Sequence, residues 1–171
     1  TKEFIQSRTD FTVNIALIDD GQPVLGVVYC PALDTIYWSD GVHAWRGTVK
    51  PGGSIDDIAD RKKLEVRPAP AELTAVASRS HRDEKTDAFL KEHGITDCIS
   101  RGSSLKFCVV AEGVADIYPR FGPTMEWDIG AGHAVLAAAK GRVVREDGSA
   151  FTYGKQETGF RNPAFIAYGG Q

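Results

Sequence analysis

An aspartate stands directly behind a tryptophan in Trp127-Asp128-Ile129-Gly130-Ala131-Gly132, and an apolar run to Ala139 follows. The run reads as a helix, which places Asp128 in the first turn, where a carboxylate complements the positive end of the helix dipole. Two chemistries are open to it. It can act as a simple N-terminal charge, or its oxygens can hold a cation or a polar ligand. Gly130 and Gly132 each cost a helix about 0.5–1 kcal/mol against alanine. Close approach of another backbone or of a ligand would offset that cost.

Three further segments carry polar groups at the ends of apolar runs. Gly102-Ser103-Ser104-Leu105-Lys106 sets two hydroxyls at a helix start, where free backbone N–H groups favour an anion. Lys106 follows Ser103 by three residues and shares its face. The competing reading is an ordinary serine N-cap beside a solvated lysine. Tyr118-Pro119-Arg120 ends the apolar stretch 114–117. An arginine at a strand exit can fork onto phosphate oxygens, or pair with a surface acid. Ser78-Arg79-Ser80-His81 has the same form after residues 73–77. Strand ends beside helix starts are where α/β sheets bind ligands. These segments can therefore converge with Asp128 on one phosphate-handling pocket. Asp56, Asp57, Asp60, Asp83, Glu84 and Asp87 read as solvated surface charge, Trp38 and Trp45 as sheet residues, and Asp116 as a buried, hydrogen-bonded structural acid.

The elements that must position these residues are legible from period and punctuation. Residues 11–17 alternate at period two, Asp19-Asp20-Gly21 is a turn signal, and 24–29 reads as the return strand. Residues 35–38 and 42–45 read as a second hairpin around Asp40-Gly41. Four consecutive strands predict an antiparallel sheet. Residues 48–60 read as a loop, and Arg67-Pro68-Ala69-Pro70 as a stiff connector. Beyond it strands at 73–77, 95–100 and 114–118 alternate with helices at 83–93, 103–112 and 126–140, ended by Gly94, Gly113 and Gly141. Strands at 142–145 and 164–168 follow. Such alternation predicts a sheet covered by helices.

At 171 residues the chain has the length of one domain, and 42% apolar with 25% charged residues suffices for a core and a solvated surface. A net charge of −3 argues against broad binding to nucleic acid or anionic membranes, while leaving room for a few local cations. Cys30, Cys98 and Cys108 lack CxxC spacing, which points away from a disulfide framework or zinc knuckle and toward a reducing cytosol. His43, His81, His93 and His133 show no i,i+4 pairing. The chain has no run long enough to span a bilayer, no initiator Met and no signal-peptide pattern, and reads as beginning within a longer sequence.

Thr1-Lys2-Glu3-Phe4, Gly102 to Cys108, Ala115-Asp116-Ile117-Tyr118-Pro119-Arg120 and Glu126-Trp127-Asp128 through Gly132 occur in an order that resembles the inositol monophosphatase superfamily. The opening Lys2-Glu3-Phe4 and Tyr118-Pro119-Arg120 resemble its CysQ-type 3'(2'),5'-bisphosphate nucleotidase branch. The resemblance implies a layered α/β/α/β sandwich with its N-terminal part missing: residues 1–66 the remainder of the first, antiparallel-sheet half, and 67–171 the C-terminal α/β half of one catalytic unit. It implies hydrolysis of the 3'-phosphate of adenosine 3',5'-bisphosphate, and of its sulfated form, in sulfur assimilation. Two or more magnesium ions are expected in the complete enzyme. Asp128 matches a metal ligand, and Thr1 a residue that orients the attacking water. Ser103, Lys106 and Arg120 match contacts to nucleotide and retained phosphate, and His81 matches a substrate contact.

The family's remaining metal carboxylates lie upstream of the position matched by Thr1, so the fragment alone is expected to be inactive. An inositol-phosphate phosphatase, a non-catalytic phosphate or nucleotide sensor and a subunit completed by another chain are the alternatives. The expected partner is a small nucleotide bisphosphate rather than nucleic acid, with no integral membrane segment. The expected setting is the cytoplasm; a homodimer and peripheral contact with the inner membrane are compatible with the resemblance.

Overall fold

The computed structural model describes residues 9–78 and 83–170, together with Ile5. The first half is one antiparallel meander in the order β1-β2-β3-β4-β5. Its strands are β1 (Val13–Asp19), β2 (Gln22–Cys30), β3 (Thr35–Ser39), β4 (Ala44–Thr48) and β5 (Ala59–Leu64). Asp20 and Gly21 turn β1 into β2 with φ of 45° and 71°. The Asp40 carboxylate accepts from the backbone of Val42 and His43 and from the Trp45 indole, which fixes the β3–β4 turn. Trp38 and Trp45 stack across those strands, as the sequence reading placed them.

The fifth strand corrects the reading of 48–60 as a loop. Ala59–Leu64 carries Asp, Arg and two Lys, so no apolar alternation announces it. It is one of the two edge strands of the meander, where charge blunts unwanted pairing.

The second half builds a mixed sheet in the order β10-β12-β8-β6-β7. Along the chain its elements are β6 (Thr74–Ser78), α1 (Glu84–Glu92), β7 (Asp97–Arg101), α2 (Leu105–Ala111), β8 (Ile117–Arg120), β9 (Thr124–Met125), α3 (Glu126–Ala138), β10 (Arg142–Arg145), β11 (Arg161–Asn162) and β12 (Phe165–Tyr168). β6 runs parallel to β7 and β8, and β12 runs antiparallel to β8 and β10. Asp83 caps α1 by accepting from the Thr86 backbone, and Asp57 closes a capping box on Ser54. Two acids read as surface charge thus serve as caps.

Helices α2 and α3 lie between the two sheets, in a core that includes Val28, Tyr37, Phe107, Val135, Leu136 and Phe165. Helix α1 covers the far side of the second sheet through Leu90 over Ala75, Ile117 and Ile166. Sheet, helix pair, sheet and helix alternate, which is the layering expected from the sequence. Asp116 is the buried structural acid it was read to be: its carboxylate takes Arg67 Nε and Nη2 at 2.8 Å each and the Thr74 N–H at 2.7 Å.

The glycines of the Trp-Asp helix serve packing. A Cβ on Gly132 would stand 2.7 Å from the Phe107 ring, so Gly132 lets α2 and α3 touch. Across the meander Ala16 pairs with Gly26, and a Cβ on Gly26 would stand 2.4 Å from the Ala131 carbonyl oxygen. Small residues on strand and helix bring backbone against backbone. Consequently β1 turns Ala16 and Ile18 toward α3 and leaves Val13, Ile15 and Leu17 exposed. Among the described residues no helix is long and apolar enough to cross a membrane.

Candidate functional site

Tyr118 organises the candidate site. It lies in β8, buried, edge-on to Phe107 and Phe165 at 5.2 and 5.5 Å between ring centres. Strand alternation puts Arg120 on the same face two residues on. The strand starts and ends later than predicted: residues 114–116 are irregular chain following the turn off α2, and β8 runs from Ile117 through Arg120 itself. Pro119, with no N–H to give, sits beyond the one pairing that joins β8 to β6, Ala75 with Ile117.

Lys106 overturns the picture of a solvated lysine. It is 5% exposed, its ammonium lies 5.1 Å from the Tyr118 ring centre, and it donates to the Ser103 carbonyl at 2.6 Å. Withdrawal from water costs an ammonium, and the aromatic face and the carbonyl offset part of that cost. Arg120 is also buried, and its Nη2 donates to the Pro123 carbonyl at 3.1 Å. Its guanidinium stands beside Asp83. Burial works against ionisation of Asp83, but the Thr86 hydrogen bonds and Arg120 outweigh it and hold that carboxyl below its ordinary range.

The loop carrying Ser103 is held from two sides. Gly102 N–H donates to the buried Asp10 carboxylate at 2.8 Å, and the Ser103 and Thr12 hydroxyls are hydrogen-bonded to each other. Ser103 has φ 49°, a left-handed conformation costly for serine, with these contacts holding it. Ser104 Oγ donates to the Asp128 carbonyl at 2.8 Å. Neither serine caps a helix: α2 starts at Leu105 and has no side-chain cap. The predicted helix start at Ser103 is therefore corrected to a strained turn tied to 10–12 and to α3.

Asp128 is exposed in the first turn of α3, and its Oδ2 accepts the Met125 N–H at 2.8 Å. Burial pushes the Tyr118 phenol well above its ordinary range, Arg120 opposes this and Asp128 adds to it, which places all three within electrostatic reach. Lys106 thus lies over Tyr118 with Arg120 two residues on in the same strand, Ser103 is joined to Lys106 through its carbonyl, and the Ser104 hydroxyl ties the same turn to the Asp128 backbone. Thr1 and His81 lie outside the described residues. Sequence reading missed Asp10 and Thr12, since neither sits in a motif and only the fold carries them to Ser103.

Among the described residues no three His, Cys, Asp or Glu side chains stand together as a metal site. A magnesium ion asks for near-octahedral oxygen ligation, usually through one or two carboxylates with waters and phosphate oxygens. A single exposed Asp128, with one oxygen already on a backbone amide, does not by itself fit a metal pair. Beside α3 a cavity of about 300 Å³ is lined by Asn14, Ile18, Glu126, Trp127, Tyr153 and Phe160 among others. It touches none of Ser103, Lys106 or Arg120 and is separate from the convergence at Tyr118.

A sequence model of the inositol monophosphatase family matches residues 1–166. The chain is 46% identical over 165 residues to a 3'(2'),5'-bisphosphate nucleotidase CysQ of Salmonella typhimurium, covering 96% of this chain and 63% of that protein. It is 40% identical over 168 residues to the CysQ of Buchnera aphidicola, covering 98% of this chain and 60% of the relative. The crystal structure of CysQ from Bacteroides thetaiotaomicron superposes with a TM-score of 0.84 at 38% identity, over 99% of this chain and 66% of that one. An IMPase from Thermotoga maritima, at 21% identity and a TM-score of 0.73 over 99% of this chain and 60% of that one, shares the fold. The chain spans less than two thirds of the length of these relatives.

Proposed function

The chain belongs to the inositol monophosphatase family, and on that premise we propose that the complete protein is a magnesium-dependent 3'(2'),5'-bisphosphate nucleotidase. Its substrate is adenosine 3',5'-bisphosphate, with the sulfated form as a second substrate, and it serves sulfur assimilation in the cytoplasm. Residues 1–66 and 67–171 contribute to one catalytic unit. The observation that carries the reading is the pair of cations, Lys106 and Arg120, buried at one tyrosine with Asp128 in reach. An anionic substrate arriving there meets charges already oriented, so little reorganisation is needed on binding.

Arg120 presents a planar fork to the phosphate that is retained, and Lys106 a point charge to the nucleotide beside the Ser103 hydroxyl. Asp128 is the metal ligand of this stretch. Thr1 orients the attacking water, and His81 adds a substrate contact. Hydrolysis joins the water oxygen to phosphorus, breaks the bond to the 3'-oxygen and delivers a proton to that oxygen. The family is generally metal-dependent, and two or more magnesium ions belong to the proposal for the complete protein. The described residues offer them only Asp128, so the 171-residue chain alone is inactive.

Phosphate release by the complete protein, with adenosine 3',5'-bisphosphate and inositol monophosphate as competing substrates, tests the reading. Preference for the nucleotide and loss of release on chelation are expected. Preference for inositol phosphate, or release indifferent to magnesium, overturns it. Robust release by the isolated chain overturns the claim that this stretch is insufficient.

A further inference from the structure

The launch of α3 is held by a loop that lies outside the site at Tyr118. Glu126, the first residue of α3, turns its side chain back from the helix into the segment that follows β10. One carboxylate oxygen accepts the Gly154 N–H and the other the Lys155 N–H, each at 2.9 Å. The Lys155 ammonium closes on the same carboxylate at 2.8 Å, with both side chains only 12% exposed. Lys155 also donates to the Thr152 carbonyl and lies 4.9 and 5.2 Å from the Phe151 and Tyr153 ring centres. The Glu126 amide donates to the Phe160 carbonyl at 3.0 Å, and Met125 pairs with Arg161 across β9 and β11.

Helix capping does not account for this arrangement. The cap of α3 is already made by Asp128, whose carboxylate accepts the Met125 N–H. That bond links the two features. The direction of the Asp128 carboxylate depends on where the Met125 amide stands, and that amide belongs to the segment gripped through Glu126 and Phe160. A charged pair mostly withdrawn from water and tied to two backbone amides restricts the segment more sharply than an exposed pair would.

We propose that Glu126 and Lys155 are positioning residues for Asp128: the pair clamps residues 124–126 and so fixes the direction in which the Asp128 carboxylate is presented. The inference rests on the reading of Asp128 as a reacting-centre ligand, and extends it to a loop more than twenty residues away in sequence.

The test uses the complete protein with variants Glu126→Gln and Lys155→Met, Lys155→Arg as the conservative control, and backbone amide exchange measured after chelation. Exchange at Met125 rises by about tenfold or more in the first two variants, while Val76 and Ala167 in the second sheet keep their protection, since the opening is local. Lys155→Arg restores the slow rate at Met125. In the same variants kcat falls and the magnesium concentration for half-maximal rate rises, with the nucleotide KM little changed. Lys155→Met keeps both backbone contacts to Glu126 and answers the question if Glu126→Gln does not fold. Unchanged exchange at Met125, or equal loss of protection at Val76 and Ala167, overturns the proposal. If the unmodified protein does not hydrolyse the bisphosphate nucleotide, the functional reading fails, while the amide exchange still decides whether the clamp exists.

Discussion

Lys106 and Arg120 illustrate how much a residue's surroundings change its chemistry. Each could be an ordinary surface cation by sequence, and each is buried beside Tyr118 in the fold. Lys106→Met in the complete protein removes one charge-assisted contact to an anionic substrate, a loss of about 1.5–3 kcal/mol, which is a drop of roughly tenfold to a hundredfold in kcat/KM. The loss appears mainly in KM for adenosine 3',5'-bisphosphate, measured by phosphate release against substrate concentration. Arg120→Lys keeps the charge but not the planar fork, so it retains less than the full affinity. A KM unmoved by either substitution removes both residues from the site. Of the motif residues, Ser103, Lys106, Arg120 and Asp128 were legible because their motifs are local. Asp10, Thr12 and Lys155 were not, because a contact between residues far apart in the chain leaves no trace in nearest-neighbour spacing.

At the scale of elements, apolar period and glycine punctuation located the two early hairpins, the helices and the late strands. They failed where another force set the element. Strand Ala59–Leu64 is charged because it is an edge, and β8 is displaced toward Arg120 because residues after Gly113 complete the turn off α2. Gly130 and Gly132 were read as close-approach residues without a partner being named, and the fold sets Gly132 against Phe107 and Gly130 against Ala16; Gly26, which the sequence did not single out, faces the Ala131 carbonyl. Gly26→Ala drives a methyl into the Ala131 carbonyl, a backbone group that cannot rotate away. It costs about 2–3 kcal/mol, as overpacking commonly does. Gly132→Ala meets the Phe107 ring and Cβ, but alanine recovers up to about 1 kcal/mol of helix propensity, so its net cost is smaller. Urea unfolding of the two variants, compared at equal m-value, checks the order; a reversed order would show that α3 moves off the meander more readily than off α2.

At the scale of the whole molecule, the layer between the sheets stores a pH dependence of stability. His133 sits in α3, buried, with Nδ1 on the Tyr153 hydroxyl at 2.9 Å and the Phe151 ring nearby. Burial lowers its pKa from an ordinary 6.5 to about 4. Between those values the unfolded chain binds a proton that the folded chain refuses, so stability rises with pH there and is lost as pH falls from about 6.5 toward 4. A gap of that size amounts to about 3 kcal/mol. The carboxyls held low in the fold, Asp83, Asp116 and Glu126, act on the other side of this window. Their stabilisation is complete above the ordinary carboxylate values and is lost only as pH falls through their lower folded values. Urea titrations at pH 7, 6, 5 and 4.5 should therefore show a decline that belongs to His133. His133→Gln, which can still bond to Tyr153 and cannot titrate, should be less stable at pH 7 and nearly level across the same range. A wild-type profile flat from pH 7 to 4.5 would mean that the imidazole is more open to water than its place between the two sheets implies.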